Sequence, residues 1–443
     1  MSKINGKFNW WPVIIAGAIA GGAELMWSMY NNFVPLWLQA GNPAFEAAGE
    51  TGLVGFGFGA FVTGIILTFD NIAALFIGPL TGVLSDSTRS RMGRRKPWIL
   101  ISAPIAIVVF VLIPVFALRI PPELNGQTEL LKPYLIPFVT VLVILLLALA
   151  ILHVPSYAIV FDITPSKHRT TANAIAVFAG GILGIGGAMG GAILFGMDPA
   201  LPFWIGAGIV AIVVVLTAIY VKEPEESEYR STESEGELSI KNIINTLRHL
   251  PKENTNSLIY LMLSIFFGWT GFASLQAFVS SYGLTVLHLD ISLAALLFPI
   301  AGLVFLVGAF PASIVANRLG RKKAVIIGFV AFSVISLLLL FFSNQTLVFV
   351  CLALGGFFWA FVNVNIDPMV IDSAPSDLVL GSYNSLLSVA KTVGFILGPI
   401  AGGFIIEKVF GQVDYSKLWL AILVVEILAI LTMLPVTKGE VRE

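Results

Sequence analysis

Charged residues are scarce in this sequence. Only 12% of its 443 residues are Asp, Glu, Lys or Arg, whereas 57% are hydrophobic. A soluble domain of this length keeps about a quarter of its residues charged, so the composition excludes a water-facing surface over most of the chain. The net charge of −1 leaves no basic field that would indicate a nucleic-acid partner.

Cysteine and histidine are also rare, and their scarcity excludes other kinds of site. The single cysteine, Cys351, rules out an internal disulfide. The four histidines lie in different segments and form no metal-ligand pattern. The sequence contains no phosphate-binding loop and no nucleophile–base set, so we predict no ATP-driven pump, no enzyme and no cofactor.

Long apolar runs, in contrast, are abundant. A helix that spans a bilayer needs about 20 mostly apolar residues, and twelve segments reach that length. We therefore predict an all-α membrane protein with 12 transmembrane helices. The predicted spans are 11–39, 53–84, 97–118, 133–161, 171–196, 201–221, 257–285, 292–316, 324–343, 346–371, 382–406 and 416–436.

The basic residues predict the orientation of these spans. With both termini in the cytoplasm, 20 of the 25 Lys and Arg fall in cytoplasmic segments and four in outer loops, while Lys391 lies within a span. Basic residues favour the cytoplasmic side. We expect a monomer in the plasma (inner) membrane, with a bundle at 1–221, a cytoplasmic linker at 222–256 and a second bundle at 257–443. Residues 238–250 have the apolar spacing of a helix lying on the membrane surface.

Short polar motifs recur in the two halves. Gly82-Val-Leu-Ser-Asp86 and Arg91-Met-Gly93-Arg94-Arg95 follow the second span, and Asn317-Arg318-Leu-Gly320-Arg321 follows the eighth. Asp162-Ile-Thr-Pro-Ser follows the fourth span, and Asp372-Ser-Ala-Pro-Ser follows the tenth. Two copies of a six-span unit are typical of a transporter whose site lies at the interface of the repeats.

These motifs resemble those of a known family. The stretch GPLTGVLSDSTRSRMGRRKPWI resembles the signature loop of the major facilitator superfamily, and in its longer form two branches of it. One branch comprises the glycoside–pentoside–hexuronide cation symporters, which include melibiose carriers, and the other the sucrose transporters. VPSYAIVFDITPSKHRTTANA resembles both branches, whereas DPMVIDSAP and the Ser388–Lys391 stretch resemble the first.

The resemblance implies roles for the repeated motifs. It implies a fold of two six-helix bundles and a gate for alternating access built from the basic loops. The predicted gating residues are Gly82, Asp86, Arg91, Gly93, Arg94, Arg95, Asp162, Arg169, Asn317, Arg318, Gly320, Arg321 and Asp372. The alternative is that the basic residues only set the topology, although charge bias alone does not require Gly82, Asp86 and Gly93 at their spacings.

Ionisable residues inside predicted spans are costly and usually functional. In the melibiose-carrier branch, acids on the second helix and a lysine on the eleventh form the cation site. Lys391 matches that lysine, while Asp70 lies one turn from the family's acid pair, where this chain has Ala74 and Gly78. One carboxylate suits a proton better than sodium, so we expect H⁺ coupling through Asp70, Lys391 and Glu24, with Na⁺ and a static ion pair as alternatives. Glu426 in the twelfth span is a weaker candidate.

Aromatic and amide side chains share faces on the spans that line the cavity in this superfamily. Such groups suit the C–H faces and hydroxyls of a sugar. The predicted substrate-binding residues are Glu24, Trp27, Asn31, His153, Tyr157, Trp269, Phe272, Gln276, Trp359, Asn363 and Asp367. Tyr157 stands where plant sucrose transporters have an arginine, so sucrose is not implied.

We therefore predict a secondary active transporter that couples symport of a sugar or glycoside to protons by alternating access. A Na⁺-coupled sugar symporter and an H⁺-coupled exporter of amphipathic solutes remain alternatives. The amides and acids on the cavity spans favour the sugar over the exporter. The polar tails are too short for the cytoplasmic domain of a transporter-like sensor.

Overall fold

The computed structural model describes residues 8–46, 53–223, 252–375, 379–409 and 411–440, and within these ranges it is helical with no strand. Twelve spans in the described chain are long and apolar enough to cross a membrane. They are formed by α1 (Trp11–Gln39), α2a (Ala60–Leu67), α2b (Phe69–Ser87), α3 (Lys96–Ala117), α4 (Lys132–Asp162), α5 (Arg169–Met197), α6 (Leu201–Tyr220), α7 (Lys252–Thr285), α8 (Ile291–Leu319), α9 (Arg321–Phe341), α10 (Gln345–Ser373), α11 (Leu380–Glu407) and α12 (Leu418–Met433).

The second span differs most from its prediction. Residues 53–59 are not helical, and Thr68 separates α2a from α2b. The Thr68 hydroxyl donates to the carbonyl of Ile65 at 2.7 Å, a local bond that competes with the helical ladder. Asp70 consequently lies in the first turn of a new helix, α2b. The seventh span begins at Lys252, five residues earlier than predicted, and the predicted surface helix at 238–250 falls outside the described residues.

Contacts divide the chain into two compact units. The first comprises Met1–Tyr30, Phe76–Arg119 and Tyr134–Thr232, and the second comprises Asn31–Leu75, Ile120–Pro133 and Glu233–Glu443. The second unit includes α2a because this helix packs against α11. This division follows contacts and not the internal repeat, so the predicted bundles at 1–221 and 257–443 stay a prediction.

Each unit is held together by small residues and aromatic rings. In the first unit Phe110 of α3 meets Phe203 of α6, with ring centroids 4.9 Å apart. In the second unit a Cβ added to Gly308 would come within 3.0 Å of the Cα of Phe357, so α8 and α10 approach closely. Large apolar side chains such as Ile136 and Phe310 point outward, as lipid-facing side chains do.

Candidate substrate and coupling site

Four of the predicted site residues meet in the first unit. Glu24 and Trp27 lie one turn apart on α1, and His153 and Tyr157 lie one turn apart on α4, so each pair shares a helix face. The Tyr157 hydroxyl lies 3.3 Å from Oε1 of Glu24, and Nε2 of His153 lies 3.5 Å from the same oxygen. The ring of His153 meets Trp27 edge to face at 5.5 Å. We call these four residues the Glu24 group.

The Glu24 group is open enough to bind a ligand. The side chains of Glu24 and His153 are 36% and 40% exposed. The neighbouring helix α5 presents Gly180 and Gly184, whose hydrogens leave space beside Tyr157 and Glu24. A carboxylate, an imidazole and two aromatic faces in one place offer acceptors, a donor and flat surfaces. This combination can bind a polyhydroxylated solute.

A second set of predicted residues meets in the second unit. Phe272 of α7 stacks on Trp359 of α10, with centroids 4.7 Å apart and the planes 13° apart. Trp269 of α7 lies 5.2 Å from Trp359. We call these three rings the Trp359 group. The edges of Phe298 and Phe395 approach Phe272 from α8 and α11.

A charged pair adjoins the Trp359 group. Nζ of Lys391 on α11 lies 2.5 Å from Oδ1 of Asp367 on α10 and 4.8 Å from the centre of the Trp269 ring. A cation at that distance is attracted to the face of the ring. The side chain of Asp367 is 51% exposed and that of Lys391 is 23% exposed, so the carboxylate is accessible from outside the helix pair.

The partner of Lys391 differs from the prediction, which paired it with Asp70. Asp70 is 5% exposed, and its Oδ1 accepts the backbone N–H of Asn71 at 2.6 Å. The break at Thr68 explains this contact, because free backbone N–H groups at the start of α2b attract a carboxylate. Lys391 is therefore paired with Asp367, and the coupling role of Asp70 stays a prediction.

Three predicted amides are half-buried and keep their hydrogen-bonding capacity. Asn31, Gln276 and Asn363 make no side-chain hydrogen bond to any other residue in the described ranges. One of the buried amides on α1 is Asn32, which the sequence did not single out. Its Nδ2 donates to the carbonyl of Ala295 at 2.9 Å, and its Oδ1 accepts the Ser280 hydroxyl at 3.1 Å.

Four of the predicted gating residues of the first half form one cluster. Arg94 donates to both oxygens of Asp162, at 2.8 and 2.5 Å, and Nε of Arg95 donates to Asp162 at 3.3 Å. Arg95 also binds Asp86 and Ser85, and the carbonyl of Gly82 accepts the Ser85 hydroxyl at 3.0 Å. The hydrogen bonds that Arg94 donates to Asp162 raise the pKa of the Arg94 guanidinium. We call Asp86, Arg94, Arg95 and Asp162 the Asp162 cluster.

The second half repeats this arrangement in simpler form. Arg321 forms an ion pair with Asp372. Gly93 and Gly320 have positive φ angles of 99° and 94°, a conformation that favours glycine. The chain turns into the next helix at these two glycines, and each turn is followed by the arginine that reaches the aspartate of its own half.

Sequence reasoning missed two glutamates that cap these helices. Glu223 accepts the N–H of Arg95 at the start of α3, at 2.9 Å. Glu440 accepts the N–H of Arg321 at the start of α9, at 2.7 Å. Burial raises the pKa of Glu223, although the backbone N–H groups oppose the shift. The signal was present, because Lys222-Glu223 and Lys438-Gly-Glu440 follow the last span of each half.

Three further predicted gating residues, Arg91, Asn317 and Arg318, are not joined to these clusters in the part of the chain that the structure describes. The side chains of Arg91, Asn317 and Arg318 are exposed and make no ion pair or hydrogen bond to a residue that the structure describes. Arg169 is half-buried at the start of α5. The gating role of all these residues stays a prediction.

Family membership follows from a match that covers most of the chain. The family described as MFS/sugar transport protein matches residues 53–434. The chain belongs to this family. No curated protein matches it. The match confirms the resemblance to the major facilitator superfamily drawn from the loop motifs.

Solved structures share the fold at low sequence identity. The nucleoside transporter NupG is 16% identical with a TM-score of 0.71, over 96% of this chain and 98% of that chain. A D-xylose-proton symporter is 15% identical with a TM-score of 0.66, over 97% and 96%. A bacterial homologue of the human lysosomal transporter Spinster is 13% identical with a TM-score of 0.65, over 97% and 95%. Family membership, together with the twelve spans, makes the chain a multi-pass membrane transporter of a small molecule and not an enzyme.

Proposed function

We propose that the chain is a proton-coupled symporter of a sugar or glycoside. The proposal depends on the contact between the Asp367–Lys391 ion pair and the Trp359 group. Lys391 binds Asp367 at 2.5 Å and lies over Trp269, which contacts Trp359. A change of charge at Asp367 therefore acts on the rings that are suited to the flat face of a sugar.

The coupling step follows from this geometry. Protonation of Asp367 removes the negative charge that holds Lys391, and the ammonium group is then free to move relative to the Trp269 ring. Asp70 and Glu24 remain further candidates for coupling. A carboxylate paired with a lysine is a poor sodium site, because hard cations prefer several oxygen ligands. The shared fold of the D-xylose-proton symporter supports the proposal.

Each group by itself suits one feature of a sugar. The Glu24 group supplies a carboxylate and an imidazole for hydroxyls, and the Trp359 group supplies apolar faces for C–H surfaces. We propose in addition that the transporter is a monomer in the plasma (inner) membrane with both termini in the cytoplasm. The predominance of basic residues in the predicted cytoplasmic segments supports that orientation.

The test is a pH recording in lightly buffered cells that express the chain. A panel of mono- and disaccharides and nucleosides is added, and wild type is compared with Asp367→Asn and Asp70→Asn. Asp198→Asn is the matched control, because Asp198 is exposed in the turn between α5 and α6. We expect one sugar to cause alkalinisation in wild type and the control, and none in Asp367→Asn.

Other results would change the proposal. If labelled sugar accumulates with a sodium gradient and without a pH change, the coupling ion is Na⁺ and not H⁺. A pH response to a nucleoside alone would mean that the substrate is a nucleoside and not a sugar. Efflux of amphipathic dyes without any sugar response would favour the exporter. Loss of the pH signal in Asp70→Asn but not in Asp367→Asn would return the coupling role to Asp70.

A further inference from the structure

One acidic residue lies in the middle of α12 and outside both groups. Glu426 is the ninth residue of the 16-residue helix, and its side chain is 0% exposed. Neither carboxyl oxygen has a hydrogen-bond partner in the part of the chain that the structure describes. A buried polar group without a partner is uncommon in native proteins and calls for a physical explanation.

Helix α7 packs tightly against α12 at this position. A Cβ added to Gly271 would lie 2.7 Å from Oε1 of Glu426, so only a glycine leaves room for the carboxyl group. One α7 residue two turns earlier, Ser264, donates its hydroxyl to the carbonyl of Ala429 at 2.8 Å. Two further turns back, the Ser257 hydroxyl accepts the N–H of Thr437 at 3.0 Å. Residues 257, 264 and 271 thus form a seven-residue repeat that faces α12 and the segment that follows it.

No titratable side chain that the structure describes on the neighbouring elements forms a hydrogen bond or an ion pair with Glu426. On α9, Nζ of Lys322 donates to the carbonyls of Leu434 and Val436, at least eight residues or about 12 Å along the helix from Glu426. On α11, Lys391 is paired with Asp367. The other titratable residues whose side chains the structure describes on these elements are Tyr260 and Tyr282 on α7, Arg321 and Lys323 on α9, Tyr383 and Glu407 on α11, and Asp414, Tyr415 and Lys417 in the turn before α12. None of these side chains donates a hydrogen bond to Glu426.

An ionised carboxylate at this place would have neither a counter-charge nor a donor. Such a charge in a water-free interior is very costly, and the group takes up a proton instead. We propose that Glu426 is a proton-binding site of the transporter, in which –COO⁻ and H⁺ combine to –COOH while α7 lies against α12. The site is distinct from the Asp367–Lys391 pair, and release of its proton requires α7 to withdraw from Glu426 so that water can reach the carboxylate.

The position of Gly271 links this site to the substrate rings. Gly271 lies between Trp269 and Phe272 in the chain, and both of these rings belong to the Trp359 group. Movement of α7 away from Glu426 therefore moves two of the three rings. This step rests on the proposed function, because it assumes that the Trp359 group binds the substrate, whereas protonation of Glu426 does not depend on it.

Infrared spectroscopy of the purified transporter in lipid nanodiscs tests protonation directly. We expect wild type at neutral pH to show a carbonyl stretch of a protonated carboxyl group that Glu426→Gln lacks. Glu426→Asp keeps a carboxyl group and should shift the band. The matched control is Glu123→Gln, in which an exposed glutamate is changed and the band is retained. A wild-type spectrum without the band, or a band unchanged in Glu426→Gln, would overturn the proposal.

Thermal unfolding as a function of pH gives a second readout. In the native protein Glu426 keeps its proton. In the unfolded chain Glu426 loses the proton above about pH 4 to 5, where an ordinary glutamate titrates. Above that pH, the equilibrium constant for unfolding of wild type should therefore rise by about tenfold per pH unit relative to that of Glu426→Gln. A melting-temperature difference between the two proteins that stays constant with pH would contradict a bound proton.

Transport assays separate this site from the proposed function. If proton release at Glu426 is part of the cycle, Glu426→Gln keeps exchange of labelled for unlabelled solute and loses proton-driven accumulation. Accumulation as in wild type would show that the proton stays bound throughout the cycle, which would overturn the link to α7 movement. Failure to find a transported sugar would affect only the proposed function, because the infrared and unfolding results stand without a substrate.

Discussion

At the scale of single residues, the hydroxyl of Tyr157 is the group that joins α4 to the carboxylate of α1. It lies 3.3 Å from Glu24, beside a histidine at a similar distance from the same oxygen. A hydrogen bond to a charged group contributes about 1.5–3 kcal/mol when it is well formed, and this one is long. Its removal should therefore affect the orientation of Glu24 more than the fold.

We predict that Tyr157→Phe raises the KM for the transported solute by about fivefold to tenfold, which corresponds to about 1–1.4 kcal/mol, with a small change in melting temperature. Uptake of labelled solute over a concentration series measures the effect. Tyr220→Phe is the control, because Tyr220 is exposed at the end of α6. An unchanged KM in Tyr157→Phe would exclude Tyr157 from substrate binding.

Residue types could be predicted from the sequence better than residue partners. Helical spacing placed Glu24 with Trp27 and His153 with Tyr157 on shared faces, and the structure brings all four together. Spacing within one helix gives no information on the register between two helices. The pairing of Lys391 with Asp367 in place of Asp70 depends on that register, as do the caps made by Glu223 and Glu440.

At the scale of elements, the contact between α2a and α11 depends on glycine. The backbone carbonyl of Pro399 on α11 lies directly over Gly64 of α2a, where a Cβ would collide with it. Glu407 at the end of α11 accepts the N–H of Phe61 at 2.9 Å and so caps α2a, whose N-cap residue Gly59 has no side chain. The two helices are thus joined at both positions within the second unit.

We predict that Gly64→Ala destabilises the protein by about 1–3 kcal/mol, because an added methyl group forces the two backbones apart. The melting temperature in detergent measures the effect. Gly181→Ala is the matched control, since nothing lies within 4 Å of a Cβ added there, and alanine favours a helix over glycine. A loss of stability in Gly181→Ala as large as in Gly64→Ala would refute the role of the close contact.

The existence of the spans followed from the sequence, whereas the break in the second span did not. Twelve apolar runs predicted twelve spans, and the described chain has twelve. Apolar content does not distinguish helix from extended chain, so residues 53–59 were assigned to a helix that begins only at Ala60. The break at Thr68 coincides with a hydrogen bond from the threonine hydroxyl. Helices commonly tolerate threonine, so this residue did not predict a break.

At the scale of the whole molecule, the two halves carry the same ion pair in different environments. Asp162 has a side chain that is 9% exposed and is held by both Arg94 and Arg95. Asp372 has a side chain that is 31% exposed and is held by Arg321. Removing the Asp162 carboxylate takes the most buried acid from two arginines and leaves them only the more exposed Asp86, whereas water can replace much of the more exposed pair at Asp372.

We predict that Asp162→Asn costs about 3–5 kcal/mol of stability and that Asp372→Asn costs about 1 kcal/mol or less. Melting temperatures of the two variants provide the comparison, and each variant serves as the control for the other. Equal losses would mean that burial does not distinguish the two copies. A larger loss for Asp372→Asn would reverse the ranking of the two halves.

The distribution of basic residues also predicts the orientation of the whole chain in the membrane. Cys351 is the single cysteine and is 6% exposed. A Cys351→Ala background variant therefore has no thiol, and a cysteine introduced at a chosen position is then its single thiol. Ser90 and Gln127 are exposed in the loops after α2b and α3, and the predicted topology puts them on opposite sides of the membrane.

We predict that Gln127→Cys reacts with a membrane-impermeant thiol reagent in intact cells, whereas Ser90→Cys reacts only after the membrane is permeabilised. The loop with Ser90 carries Arg89, Arg91, Arg94 and Arg95, and moving such a loop to the outside opposes the charge bias. The reverse labelling pattern would place both termini outside the cell and would contradict the orientation predicted from the basic residues. Labelling at both positions in intact cells would mean that the background variant has lost its fold, which the melting temperature of that variant would reveal.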